Sequence, residues 1–139
     1  MKKIPRIQEI WIIAKNGLHI ASSKIKIDKK EIEIDEDMFS GFIAAINVFT
    51  FEIGLNKCRV LETKSSKLCF SHYSDLDLTF VAKSTKNIDN SEILSYLEII
   101  KSKIVQKYKK IIKNWEGSVS DFKGISKYID IEKDKKNWI

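Results

Sequence analysis

Cysteine is scarce in this chain. Cys58 and Cys69 are the two in 139 residues, too few for a disulfide framework and without the spacing of a metal-ligand set. Both read as buried thiols. No apolar run approaches the length of about 20 residues that spans a bilayer. The first 15 residues, MKKIPRIQEIWIIAK, hold too short and too interrupted an apolar stretch for a signal peptide. An intracellular, cytoplasmic protein is expected, with contact to membranes peripheral at most. Glycine is missing from residues 83–87, KSTKN, where a phosphate-cradling loop would need it. Repeats, linkers and low-complexity segments are absent as well. A single domain over residues 1–131 is expected, followed by a charged tail, 132–139, too polar to pack well.

Catalytic and metal-binding constellations are lacking too. His72 is expected across a hairpin from Asp77, yet no nucleophile accompanies the pair, so a surface contact explains it better than catalysis. His19 has no second metal ligand near it in sequence. The acidic group Asp28, Glu31, Glu33, Asp35, Glu36 and Asp37 lacks the ordered spacing and central glycine of a calcium loop. No metal, cofactor or catalytic residue is therefore assigned, and an enzyme is not expected. The net charge of +6 arises from 25 basic and 19 acidic residues, a modest excess that favours solubility as much as any acidic partner.

What the chain has in abundance is apolar periodicity. Residues 7–15 carry apolar side chains on both alternating faces and read as a central strand covered on both sides. Asn16-Gly17 is a strong hairpin signal leading to a second strand from Leu18. Residues 24–33 extend that strand or form a loop. Residues 57–64, 67–73 and 76–83 read as three further strands on short turns, the first half-polar and at an edge. With a turn at Ser65-Ser66, Cys69 is expected opposite Glu62. Residues 89–115 show a one-sided helical stripe, Ile93, Leu97, Ile100, Ile104, Tyr108, Ile111 and Trp115, and a short third helix is expected over 120–129 with Phe122, Ile125 and Ile129 inward. Off the long stripe, Lys103, Lys107 and Lys110 form a basic flank able to attract an anionic surface weakly. Nucleic-acid binding is disfavoured there, because aromatics for base stacking are missing.

The most unusual stretch is residues 36–53, opened by Asp35 as N-cap and closed by Gly54. It has two apolar stripes and no charge between Met38 and Phe51. Phe39, Phe42, Ile43, Ile46, Phe49 and Ile53 are expected to face the sheet. Gly41, Ala44, Ala45, Val48 and Phe51 would then line an exposed strip beside the edge strand, with Cys58, Val60 and Glu62 alongside. A partner chain would cover these residues. Within a monomer, residues 24–33 or the tail would have to fold over them instead.

The resulting order, β-β-α-β-β-β-α-α, describes an α/β (α+β) fold: a three-layer α-β-α arrangement around a five-stranded, antiparallel-rich sheet. In this order, and in the passage from Leu61 to Lys101 containing LDLTFVAKSTKN and EILSYLEIIK, the chain resembles the longin, or SNARE-like, domain family. The pattern is closest to the small sigma-type subunits of vesicle-coat adaptors. The related roadblock domains begin with an additional helix before the first strand, which disfavours that assignment, since six residues precede Ile7 here. The resemblance implies a noncatalytic scaffold in membrane-trafficking or small-GTPase machinery. It also implies pairing with itself or a related longin or roadblock-type protein through residues 36–53 and 57–64, and contact with a small GTPase. The alternative from another class is a small-molecule sensor, which requires a closed apolar cavity between sheet and helix.

Overall fold

The structure is a computed structural model and describes residues 7–14, 17–24, 35–54, 58–73, 75, 78–113, 124, 125 and 129. Its elements are β1 (Ile7–Ile13), β2 (His19–Lys24), α1 (Glu36–Glu52), β3 (Val60–Glu62), β4 (Ser66–Tyr73), β5 (Leu78–Thr85) and α2 (Asn90–Lys113). They follow the expected order. The third helix over 120–129, the 24–33 connection beyond Lys24 and the 132–139 tail lie outside the described residues. Of residues 120–129 Gly124, Ile125 and Ile129 are described, and the two isoleucines are buried in the cluster beneath α2.

All four strand pairings are antiparallel, in the order β2-β1-β5-β4-β3. β1, apolar on both faces, sits inside the sheet, and the half-polar β3 is at its edge. Two registers differ from expectation. Cys69 lies opposite Val60, not Glu62, because the turn is centred on Lys64-Ser65, closed by the Thr63 N–H donating to the Ser66 carbonyl at 2.8 Å. His72 lies opposite Thr79 and not Asp77, so the His–Asp pair is not formed by this register. A one-step displacement of a turn's centre moves every cross-strand partner by two.

The two helices cover opposite faces of the sheet unequally. On one face α2 packs its stripe of Ile93, Leu97, Ile100, Ile104 and Tyr108 onto Ile7, Ile10, Ile12, Cys69, Phe80 and Ala82. This is the larger of the two core clusters. On the other face the cluster is small: Trp11, Ile13, Ile43, Phe70 and Val81 are buried, with Phe39, Ile46, Cys58, Leu61 and Leu68 packed around them. The Trp11 ring lies 4.4 Å from that of Phe39.

α1 starts as expected. The Asp35 carboxylate accepts the Met38 N–H at 3.0 Å, and Glu36 and Asp37 occupy the first turn, where the helix dipole favours negative charge. It ends at Gly54, whose φ of +77° is a conformation glycine adopts at no steric cost. Gly17, in the β1–β2 turn, has φ +80° and no room for a side chain. A Cβ there would stand 3.0 Å from the Gly41 Cα, so the hairpin tip rests directly on the α1 backbone.

Candidate interaction surface

Two of α1's side chains, Ser40 and Ile43, are buried. The line meeting the sheet is Phe39, Ser40, Ile43, Ile46, Asn47 and Thr50, half of it polar. Phe42, Phe49 and Ile53, expected in the core, are instead 51%, 62% and 51% exposed. The physical reason lies in the sheet beneath, which offers polar partners near the C-terminal half of α1. Asn47 Nδ2 donates to Thr79 Oγ1 at 3.1 Å, Thr79 Oγ1 lies 3.4 Å from His72 Nδ1, and His72 Nε2 lies 3.0 Å from the Cys58 carbonyl oxygen. This chain ties α1 to β5, β4 and the segment just ahead of β3. A buried amide is tolerated only when such partners exist, and they turn Asn47 inward and the phenylalanines outward.

The outward side of α1 is correspondingly apolar. Met38, Phe42, Val48, Phe49 and Phe51 are all more than half exposed, with Ile53 just beyond the helix end. Of the strip expected from sequence, Gly41, Ala45, Val48 and Phe51 are exposed and Ala44 is half-buried. Gly41, Ala44, Ala45, Val48, Phe49 and Glu52 line a shallow open groove of about 570 Å³. The surface therefore includes the expected residues and three further large ones that periodicity had assigned to the core. The polar positions Ser40, Asn47 and Thr50 share the inward line, but their side could be told from the outward one only once Thr79 was placed beneath Asn47.

The edge-strand residues divide differently. Glu62 is exposed, but Val60 packs against the α2-side core and Cys58 against the α1-side cluster. Both cysteines are free. Burial pushes both thiols up from their ordinary value, with weaker opposing effects from the Val60 backbone on Cys58 and from Lys67 on Cys69. Thiolate reactivity falls accordingly.

Beyond Val60, β4 continues past the end of β3. There Phe51, Arg59, Phe70, Ser71, His72, Leu94, Glu98 and Lys101 line a second open groove of about 680 Å³. Lys101 Nζ donates to Glu98 Oε1 at 2.9 Å and to the His72 carbonyl at 3.3 Å, and Ser71 Oγ donates to Glu98 Oε1 at 2.5 Å. An ammonium set against the C-terminal end of β4 is a device that blunts strand-to-strand association. These bonds hold the Glu98 carboxyl below its ordinary value of 4.5, the Lys101 bond foremost and the Ser71 bond next. A carboxyl depressed on folding contributes stability above the ordinary glutamate range and loses it as pH falls through the depressed value. Glu98→Gln is therefore expected to lower stability modestly at neutral pH and to make the acid-side decline shallower, the two proteins converging once the pH is below the depressed value. Urea melts at a series of pH values check this, and parallel pH profiles for both proteins would refute it.

Lys103 and Lys107 are exposed on α2, as expected of a basic flank; the side chain of Lys110 lies outside the described residues. Among the described residues no group of His, Cys, Asp and Glu is placed to hold a metal ion. No described helix is long and apolar enough to cross a membrane.

No family model matches the chain, and no curated protein matches it. Solved structures do. It is similar to MglB of Myxococcus xanthus, with TM-score 0.59 and 14% identity, over 79% of this chain and 83% of that one. It is similar to a roadblock/LC7 domain from Streptomyces avermitilis, with TM-score 0.54 and 16% identity, over 78% and 89%. The mammalian SRP receptor matches with TM-score 0.57 and 12% identity, over 96% and 98%. The roadblock likeness, disfavoured by the short segment ahead of Ile7, is thus present in the fold, whereas the sigma-subunit likeness rests on sequence pattern alone. The chain has the fold of the roadblock and longin-like domains, a five-stranded antiparallel sheet with a helix on each face.

Proposed function

We propose that this chain is a noncatalytic interaction module, a scaffold or adaptor acting with small-GTPase or trafficking-like machinery, whose partner-binding surface is the outer face of α1 together with the adjacent edge strand β3. The observation that carries this is the exposure of Met38, Phe42, Val48, Phe49 and Phe51 on one 17-residue helix. Contiguous apolar surface of this kind marks association sites in soluble proteins. Its partner is a second copy or a related roadblock or longin-type chain. MglB, whose fold is similar, is known in a tetrameric arrangement, which supports association between such domains. The GTPase link rests on the family resemblance. A small-molecule sensor is the second reading; the two described grooves are open and not enclosed between sheet and helix.

The test is size-exclusion chromatography in extract of the source cell. Wild type is expected to elute as a complex larger than one chain, and Val48→Glu with Phe51→Lys as the single chain with unchanged circular dichroism. A wild type that elutes alone, or a complex indifferent to both substitutions, refutes the proposal.

A further inference from the structure

The α1 surface has a charge pattern as distinctive as its apolarity. Residues 35–52 carry Asp35, Glu36, Asp37 and Glu52 and no Lys or Arg, in a chain of net charge +6, so the remainder of the chain carries +10. The acidic residues stand at the two ends of the exposed face, with Met38, Phe42, Ala45, Val48 and Phe49 between them. Glu36 lies 3.4 Å from His19 Nδ1, whereas Asp37 and Glu52 have no ion pair among the described residues. The last turn of the helix holds no basic side chain.

Two copies meeting through this face would set like charge against like charge. In an antiparallel alignment Asp37 of one faces Glu52 of the other at both ends; in a parallel one each acid faces its own counterpart. In either two-fold arrangement α1 of one copy offers no basic side chain to the acids of the other, because both of its ends are acidic; Arg59, beside Phe51, is a described cation near the face. An anionic membrane or nucleic acid meets the same obstacle. A surface is matched by opposite charge around a complementary apolar centre.

Resting on the reading of α1 as the partner surface, we propose that its partner is a different protein: one presenting an apolar patch flanked by Lys or Arg residues about 22 Å apart, the axial separation of Asp37 and Glu52 at 1.5 Å per residue. Charge at the rim then selects the partner and the apolar centre holds it. Pairing between identical copies is the weaker alternative.

A charge-reversed copy, Asp37→Lys with Glu52→Lys, supplies a probe with the same apolar centre and a basic rim. Asp35 keeps the helix cap in place, and circular dichroism checks the fold. Labelled wild type is titrated with unlabelled wild type or with the probe, at low salt and at about 1 M salt, where the screening length falls to about 3 Å. The mixed pair is expected to be at least tenfold tighter than the wild-type pair at low salt, with the difference lost at high salt. Equal affinities for the two pairs, or binding in neither, overturn the inference. If the complex in extract is still abolished by Val48→Glu and Phe51→Lys, the function proposed for α1 stands and the charge-selected partner alone is lost.

Discussion

Trp11→Ala is expected to lower the unfolding free energy by about 3–5 kcal/mol, the range for removing a fully buried large aromatic. That is a large share of the roughly 5–15 kcal/mol by which a domain of this kind is stable. Trp11 is completely buried, and it is the largest side chain in the small cluster under α1, in contact with Phe39 and 5.4 Å from the His19 ring. The thinness of that cluster sharpens the prediction. Four other buried residues remain there, Ile13, Ile43, Phe70 and Val81, against a much larger set beneath α2. Loss of the indole should therefore loosen α1 before it loosens the rest. Hydrogen exchange is expected to rise across α1 at denaturant concentrations where α2 and β5 stay protected. Chemical melts read the global figure and exchange reads its distribution. A loss below about 1 kcal/mol, outside the range for such truncations, or equal deprotection of both helices, would show that α1 is anchored otherwise.

Phe42→Glu with Phe49→Glu is expected to do the opposite. Both rings are more than half exposed in the single chain, so substitution should leave monomer stability within about 0.5 kcal/mol per site, as for surface positions generally. Partner binding should fall at least about 100-fold, since truncating one anchoring aromatic typically costs about 2 kcal/mol or more and a carboxylate buried in an apolar seam adds to it. Ile43→Ala, one position from Phe42 in sequence, is the control. Ile43 is fully buried, and its truncation should cost about 2–5 kcal/mol. Melts of the three proteins beside a binding titration separate the roles. If the double glutamate variant unfolds as readily as Ile43→Ala, Phe42 and Phe49 belong to the core after all.

The sheet was largely legible before the structure. Alternation marked all five strands, and the composition of each indicated its place: β1, apolar on both faces, is interior, while the half-polar β3 is an edge. Cap chemistry placed the start of α1 at Asp35 and its stop at Gly54. These features were readable because each follows from a local rule: a period of two, a carboxylate accepting the first-turn amides, a glycine with positive φ. The α2 stripe was readable for the same reason, its polar back leaving a single way to bury it.

Register and orientation were not local. The hairpin turns are centred one step away from the residues that best fit them by composition, and this moved Cys69 from Glu62 to Val60 and His72 from Asp77 to Thr79. The rotation of α1 was decided by partners distant in sequence. Nothing between Met38 and Phe51 tells which of two apolar stripes meets the sheet. The choice was settled by Thr79, 32 residues beyond Asn47, which accepts its amide, and by Gly17, which lets the hairpin rest on Gly41. The sequence by itself determined the elements, their order and an unusually apolar helix. Only the tertiary structure decided that Asn47 turns inward, with Ser40 and Thr50 on the same side, and that Phe42, Phe49 and Ile53 turn out, because the partner that orients Asn47, Thr79, is brought beneath it by folding alone.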